Sequence, residues 1–130
     1  GHPDGSPDIS DSDLEKAMND KKPYADYIVT QWLMEPKPVI KFVSKQTIPV
    51  HVGITGPMKI SSLLKFANTV GAKNSINFIK SNLGKTFDLL RPKDPNDLIE
   101  EIKSVTSNFH IYTFGGLKET NTWLIEKKYA

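Results

Sequence analysis

The chain has 130 residues, of which 38% are hydrophobic and 25% are charged, and it contains no cysteine. These proportions are typical of a globular domain and exclude extended disorder, a coiled coil, a disulfide framework and Cys-ligated zinc. The net charge is only +2, and no basic stripe carries interleaved aromatic residues, so nucleic acid is not an expected partner. No apolar run reaches the roughly 18 residues that a membrane span needs, so no membrane contact is expected.

Two helix starts carry capping signals. Ser12-Asp13-Leu14-Glu15 has the spacing of a capping box, which predicts a helix that begins there and ends near Lys21. Asp94 followed by Pro95 is a good pair for an N-cap and a first helical position. A second helix is therefore predicted from this pair onward.

Segments of strand and helix character alternate along the rest of the chain. Strand segments are short runs of β-branched and aromatic residues, and helix segments repeat apolar residues three and four apart. The predicted strands are residues 27–33, 48–54 and 109–114, and the other predicted helices begin near Pro36, Ile60, Asn74 and Leu117. The stretch 82–91 has no clear pattern. Because helix and strand alternate, the sequence predicts parallel βα units and an α/β fold.

Function in parallel α/β folds gathers at the carboxyl ends of the strands. Gln31 interrupts an apolar strand at such an end, and its amide offers a donor and an acceptor together, which suits a flat heterocycle. A glutamine that only satisfies neighbouring backbone is the alternative. The glycines in 53–56 and 115–116 follow the other two strands. They allow a phosphate to approach the backbone closely, or they simply form tight turns.

The histidines do not have metal-site spacing. His2, His51 and His110 are far apart in the sequence, without a His-x-His or His-x-x-x-His pair, so no metal site is predicted. His51 and His110 lie inside predicted strands, where packing or hydrogen bonding is the more common role. No Gly-x-Ser-x-Gly motif or nucleophile–base pair is present, so the residues alone predict a ligand-binding α/β segment.

Four motifs in one order allow a more specific comparison. They are Gly1-His2-Pro3-Asp4-Gly5, Ala25-Asp26-Tyr27-Ile28-Val29-Thr30-Gln31, Ile48-Pro49-Val50-His51-Val52-Gly53-Ile54 and Phe109-His110-Ile111-Tyr112-Thr113-Phe114. Together they resemble the second half of the methylenetetrahydrofolate reductase family, whose corresponding segments end the fifth strand and form strands six to eight. The resemblance spans nearly the whole chain. It implies that residues 1–130 form part of an α/β (βα)8 TIM barrel, from the end of strand five to strand eight, with their helices.

The resemblance also implies a chemistry. The family binds FAD and uses NADH or NADPH to reduce 5,10-methylenetetrahydrofolate to 5-methyltetrahydrofolate, in one-carbon metabolism and methionine biosynthesis. It implies a cytoplasmic enzyme that forms a homo-oligomer at full length. The positions that match FAD-binding residues of the family are His2, Ser6, Asp13, Lys16, Lys21 and Val29. Gln31 matches the glutamine that hydrogen-bonds the folate pterin, and Phe114 lies on the folate side.

The resemblance also has gaps. The family's catalytic acid belongs to strands one to four, which have no counterpart in this sequence, and barrels of this type need about 250 residues. We therefore expect the chain to be a C-terminal part that is inactive alone. The family's eighth-strand loop carries an Arg that helps to hold folate, whereas this sequence continues with Gly115-Gly116.

Two other functions fit the same residues. One is a non-catalytic α/β module that binds a phosphorylated ligand through the glycines in 53–56 and 115–116. The other is a reductase-like accessory subunit without turnover. Bound flavin distinguishes the reductase from the phosphate-binding module.

Overall fold

Helices and strands alternate along the chain, as the sequence predicts. The structure is a computed structural model that describes residues 1–70, 77, 80, 81 and 92–129. The strands are β1 (Ile28–Trp32), β2 (Val50–Thr55), β3 (Met58–Lys59), β4 (Pro92–Lys93) and β5 (Phe109–Tyr112). The α-helices are α1 (Asp11–Lys21), α2 (Pro36–Val43), α3 (Ile60–Val70), α4 (Asn96–Ile102) and α5 (Leu117–Glu126), and a 3-10 turn covers Lys22–Tyr24. The α/β class is therefore confirmed.

The three predicted strands correspond to β1, β2 and β5. In the helix predicted over residues 74–80, positions 77 and 80 are helical, and the other positions lie outside the described residues. The stretch 82–91 also lies outside them. The sequence did not predict β3 and β4, which pair in an antiparallel ribbon. Strands of two residues are too short to show a period in the sequence.

The two predicted helix starts have different outcomes. The N-cap of α1 is Ser10, not Ser12, because the Ser10 hydroxyl accepts the N–H of Asp13 at 3.2 Å. Ser10-x-x-Asp13 offers the same spacing of hydroxyl and acid as Ser12-x-x-Glu15, and the helix begins at the earlier of the two. At the start of α4, the N-cap is Pro95 and the helix begins at Asn96, one residue later than the predicted pair. The Asp94 carboxylate still accepts the N–H of Asn96 at 2.9 Å.

The main sheet has three parallel strands in the order β1-β2-β5. One face, here called the helix face, packs against α2, α4 and α5. The buried residues of this core are Ile28, Leu33, Val39, Val50, Val52, Ile54, Leu98, Ile99, Ile102 and Trp123. The strand residues among them alternate with residues of the opposite face, as the pleat requires. Burial of this apolar surface is the main contribution to the stability of the fold.

The opposite face, here called the second face, carries Val29, Gln31, His51, His110 and Tyr112. Toward the carboxyl ends of the strands, α3 contributes to a second, smaller core. Its buried members are Trp32, Met34, Leu63 and Ala67. The second face is thus covered by apolar packing at one end only, and the remaining positions are half-buried or exposed.

The outer edge of β1 is partly occupied by the start of the chain. The nitrogen of Gly1 donates to the Val29 carbonyl at 2.6 Å, and the N–H of Gln31 donates to the Gly1 carbonyl at 2.8 Å. This pair of hydrogen bonds is the pattern of a parallel bridge, so Gly1 lies where a further strand would run. No helix in the part of the chain that the structure describes is both long and apolar enough to cross a membrane.

Candidate functional site

A β-bulge interrupts β1 at its carboxyl end. Val29 is opposite His51 and Trp32 is opposite Gly53, so two residues of β1, Thr30 and Gln31, face a single residue of β2. The extra residue places Trp32 on the second face and Leu33 on the helix face, in agreement with the two cores to which they belong.

The hydroxyl of Thr30 occupies the irregular part of the ladder. It accepts the N–H of Gly53 at 2.8 Å and donates to the carbonyl of Gln31 at 2.8 Å, and Thr30 is fully buried. A side-chain oxygen thus takes the place of a strand carbonyl, which keeps the Gly53 amide satisfied. Without that hydroxyl the bulge would leave a buried donor without an acceptor, at a cost of about 1–3 kcal/mol.

Gly53 and Tyr112 complete the bulge. A Cβ atom on Gly53 would lie 2.6 Å from the Thr30 carbonyl oxygen and 2.7 Å from that of Gln31, so only glycine fits beside the bulge. The Tyr112 hydroxyl reaches from β5 and donates to the Thr30 carbonyl at 3.0 Å. Burial raises the pKa of Tyr112, which keeps this hydroxyl protonated as a donor.

Two residues that the sequence assigned to a site lie within hydrogen-bond distance of each other at the bulge. The Nδ1 atom of His2 lies 2.8 Å from the Oε1 atom of Gln31. With the amide oxygen facing the ring, Nδ1 carries the hydrogen and donates it. Gln31 is half-buried and His2 is exposed, so the pair is accessible at the carboxyl end of β1.

A large open cleft lies beside the outer edge of β1. It has a volume of about 1260 Å³ and is bounded by the first residues of the chain, α1, β1 and α2. Four of the positions predicted for FAD line it: His2, Asp13, Lys21 and Val29. Its walls also carry the amines of Lys22, Lys37, Lys41 and Lys45, and its apolar lining includes Met18, Ile28 and Phe42.

The other predicted site residues lie elsewhere. Ser6 and Lys16 are not among the residues that line the cleft. Ser6 accepts the N–H of Asp8 at 3.3 Å, and Lys16 is exposed on α1. The carboxylate of Asp13 accepts from the Ser10 hydroxyl at 2.6 Å, which uses one of its oxygens in the helix cap.

Phe114 lies in an aromatic cluster on the second face. Its ring stacks on Phe66 with centroids 4.6 Å apart and meets Trp32 edge-on at 5.9 Å. Its φ is +46°, an uncommon value for a residue with a side chain. The cluster closes the end of the second face next to the bulge, because Trp32 directly follows Gln31.

The glycines considered for a phosphate site have other roles in the structure. The N–H groups of Gly53, Gly56 and Gly116 donate to the Thr30 hydroxyl, the Tyr112 carbonyl and the Thr113 carbonyl, respectively. A phosphate nest needs backbone N–H groups that are free to point at the anion. These bonds favour packing and turn formation over a phosphate cradle at the three amides.

His51 and His110 pack against tyrosine rings on the second face. The ring of His51 lies 4.7 Å from that of Tyr27, and the ring of His110 lies 4.6 Å from that of Tyr112. Within the described residues, no three His, Asp or Glu side chains are grouped closely enough to hold a metal ion.

Sequence reasoning missed Thr30 and Tyr112. A threonine beside the strand-end glutamine was the only local signal, and threonine is common in strands. The tyrosine lies 82 residues away, so its contact depends on the sheet order.

In a comparison with protein-family models, no model matches this chain.

Proposed function

We propose that this chain is the C-terminal part of a flavin-dependent reductase that resembles the methylenetetrahydrofolate reductase family. It would contribute the end of strand five and strands six to eight of a (βα)8 barrel. The reaction would be the reduction of 5,10-methylenetetrahydrofolate to 5-methyltetrahydrofolate with NADH or NADPH. The observation that carries the proposal is the hydrogen bond between His2 and Gln31, which the resemblance assigned to the flavin and folate sides of one site.

The arrangement of the strands supports the barrel. The order β1-β2-β5 is the order in which successive barrel strands would lie, and both pairs are parallel. Gly1 bonds to the outer edge of β1 in the same parallel sense, at the place of the preceding strand. Helices α2, α4 and α5 cover one face of the sheet, as barrel helices do, while α3 packs at the carboxyl end of the other face. Gln31 lies at the carboxyl end, where barrel enzymes bind their substrates.

The cleft beside β1 supports FAD as the cofactor. Four of the six positions that the resemblance assigns to FAD line this cleft: His2, Asp13, Lys21 and Val29. Lys21 and its neighbouring lysines would hold the diphosphate, and His2 and Val29 would lie on the isoalloxazine side. The chemistry that FAD supplies when bound is the transfer of a hydride from the nicotinamide to the folate.

The residues of this chain would bind and orient the folate. Because His2 engages the Oε1 atom of Gln31, the glutamine keeps its NH₂ group to donate to a carbonyl or ring nitrogen of a pterin. The aromatic cluster around Phe114 would close the adjoining end of the site. A catalytic acid is expected in strands outside this chain.

The proposal is tested with the protein purified from its source under anaerobic conditions. Adding NADH or NADPH should bleach the visible absorption of the bound flavin, and adding 5,10-methylenetetrahydrofolate should restore it. Gln31→Ala should weaken folate binding by about 10-fold or more, the value of one lost hydrogen bond to a buried partner, and leave the flavin bound. Asn121→Ala, on the exposed surface of α5, is the matched control and should change neither.

Three results would separate the candidate functions. Bound flavin that NADH and NADPH leave oxidised would indicate an accessory subunit without turnover. A protein without flavin that binds inorganic phosphate would favour the binding module. Unchanged folate affinity in Gln31→Ala would contradict the role of this glutamine.

A further inference from the structure

We propose that Thr30 is a positioning residue for the His2–Gln31 pair. The expected effect on folate binding rests on the proposed function. The contacts that hold the His2–Gln31 pair involve no ligand. Thr30 is fully buried, so it touches no bound molecule itself. It would act only through the backbone that carries Gln31.

Three contacts hold the bulge in one conformation. The Thr30 hydroxyl links β1 to β2 by accepting from the Gly53 amide, and links to the next residue by donating to the Gln31 carbonyl. The Thr30 carbonyl is fixed by the Tyr112 hydroxyl of β5. The Thr30 side chain is thus tied to β2, the Thr30 carbonyl to β5, which lies beyond β2, and the Gln31 amide to the Gly1 carbonyl.

This conformation determines where the Gln31 side chain lies. Gln31 lies on the same face as Val29, as in a regular strand, and the bulge changes the alternation at the next residue, Trp32. Here Gln31 keeps its N–H bonded to the Gly1 carbonyl while its side-chain oxygen meets the His2 ring at 2.8 Å. Loss of the bulge would shift this geometry and separate the two side chains. The hydroxyl of Thr30 therefore controls a hydrogen bond in which it takes no part.

The test compares side-chain variants by NMR in protein labelled with ¹⁵N-histidine. The ring nitrogen shifts of His2 report which nitrogen carries the hydrogen, and the signals lost in His2→Gln are assigned to His2. Gln31→Ala defines the spectrum without the pair. Thr30→Val removes the hydroxyl at constant shape and should give His2 shifts equal to those of Gln31→Ala. Thr30→Ser keeps the hydroxyl and should retain the shifts of the unsubstituted protein.

Tyr112→Phe is the second variant, because it removes only the hydroxyl that fixes the Thr30 carbonyl. The His2 shifts of Tyr112→Phe should move toward those of Gln31→Ala. This variant therefore tests the positioning role if Thr30→Val does not fold. Folded Thr30→Val or Tyr112→Phe with unchanged His2 shifts would overturn the positioning role.

Folate affinity provides the functional comparison. Thr30→Val should weaken folate binding as much as Gln31→Ala does, with flavin binding unchanged and with affinity restored in Thr30→Ser. If the protein binds neither flavin nor folate, the proposed function fails, while the His2 shifts still decide whether Thr30 positions the pair. If folate binds and Thr30→Val binds it normally, the positioning role fails and the proposed function stands.

Discussion

The two faces of the main sheet differ in what determines them. The helix face is an apolar core in which residues such as Val39, Val52 and Ile102 are fully buried. On the second face, the side chains of Gln31 and Tyr112 bond to His2 and to the Thr30 carbonyl, and two histidines pack against tyrosine rings. The free energy of unfolding therefore depends mainly on the helix face. The candidate site on the second face depends on the positions of a few hydrogen-bonding groups. Substitutions on the two faces should separate these contributions.

The largest effect is expected on the helix face. Ile102→Ala removes a fully buried side chain from α4 and leaves a cavity, so it should lower the free energy of unfolding by about 2–5 kcal/mol. Ile125→Ala, on the exposed side of α5, is the matched control and should stay within about 0.5 kcal/mol. Urea denaturation measures both. Equal effects would contradict the assignment of the core to this face.

Gly53→Ala should have an intermediate effect that reaches both faces. The new methyl group would clash with the carbonyls of Thr30 and Gln31, so we expect a loss of about 1–3 kcal/mol and a displaced bulge. Gly115→Ala is the comparison: its φ is +86° and its surroundings are open, so only the backbone strain of about 1 kcal/mol should appear. A tolerated Gly53→Ala would mean that the bulge does not need this close approach.

Asp94 connects α4 with α5 and should give a smaller, pH-dependent effect. Partial burial tends to raise its pKa, but hydrogen bonds from Lys127, the Asn96 amide and Trp123 outweigh it and lower the pKa. The ionised carboxylate therefore stabilises the fold above about pH 4, and this contribution is lost as the pH falls through the lowered pKa. The Lys127 pair is largely exposed, so its own share is small.

Asp94→Asn tests this contribution directly. It keeps an acceptor oxygen for the N–H groups of Asn96 and Trp123 and removes the charge, so it should cost about 0.2–1 kcal/mol at pH 7. Thermal unfolding of both proteins across the pH range should show the difference shrinking below about pH 4. A difference that stays constant down to pH 2 would contradict the role of the charge.

Gln31→Ala should have the smallest effect on stability. Gln31 is half-buried and its partner His2 is exposed, so the free energy of unfolding should change by no more than about 0.5–1 kcal/mol. Urea denaturation beside the folate titration checks that this variant loses binding without losing the fold. A loss as large as that of Ile102→Ala would show that the second face is structural at this position.

The same contrast explains what the sequence could predict. The helix face follows from periodicity, because residues such as Val50, Val52 and Ile54 alternate in strands of ordinary length. The Ser10 cap was missed because two serines have equivalent spacing to an acid. The bulge could not be predicted, because it depends on one hydroxyl of Thr30 and on a tyrosine 82 residues away. Gln31 was identified by its place at a strand end as well as by the family resemblance, and His2 by the resemblance alone. Only the fold brings them within hydrogen-bond distance.

This chain is proposed to belong to a flavin-dependent barrel enzyme. The most direct test is to tag the natural protein at its C-terminus, purify it from its source, and record its size and visible spectrum together. We predict a polypeptide about twice this length, as a barrel of about 250 residues requires, with the two visible absorption bands of an oxidised flavin. A colourless polypeptide of 130 residues would contradict it.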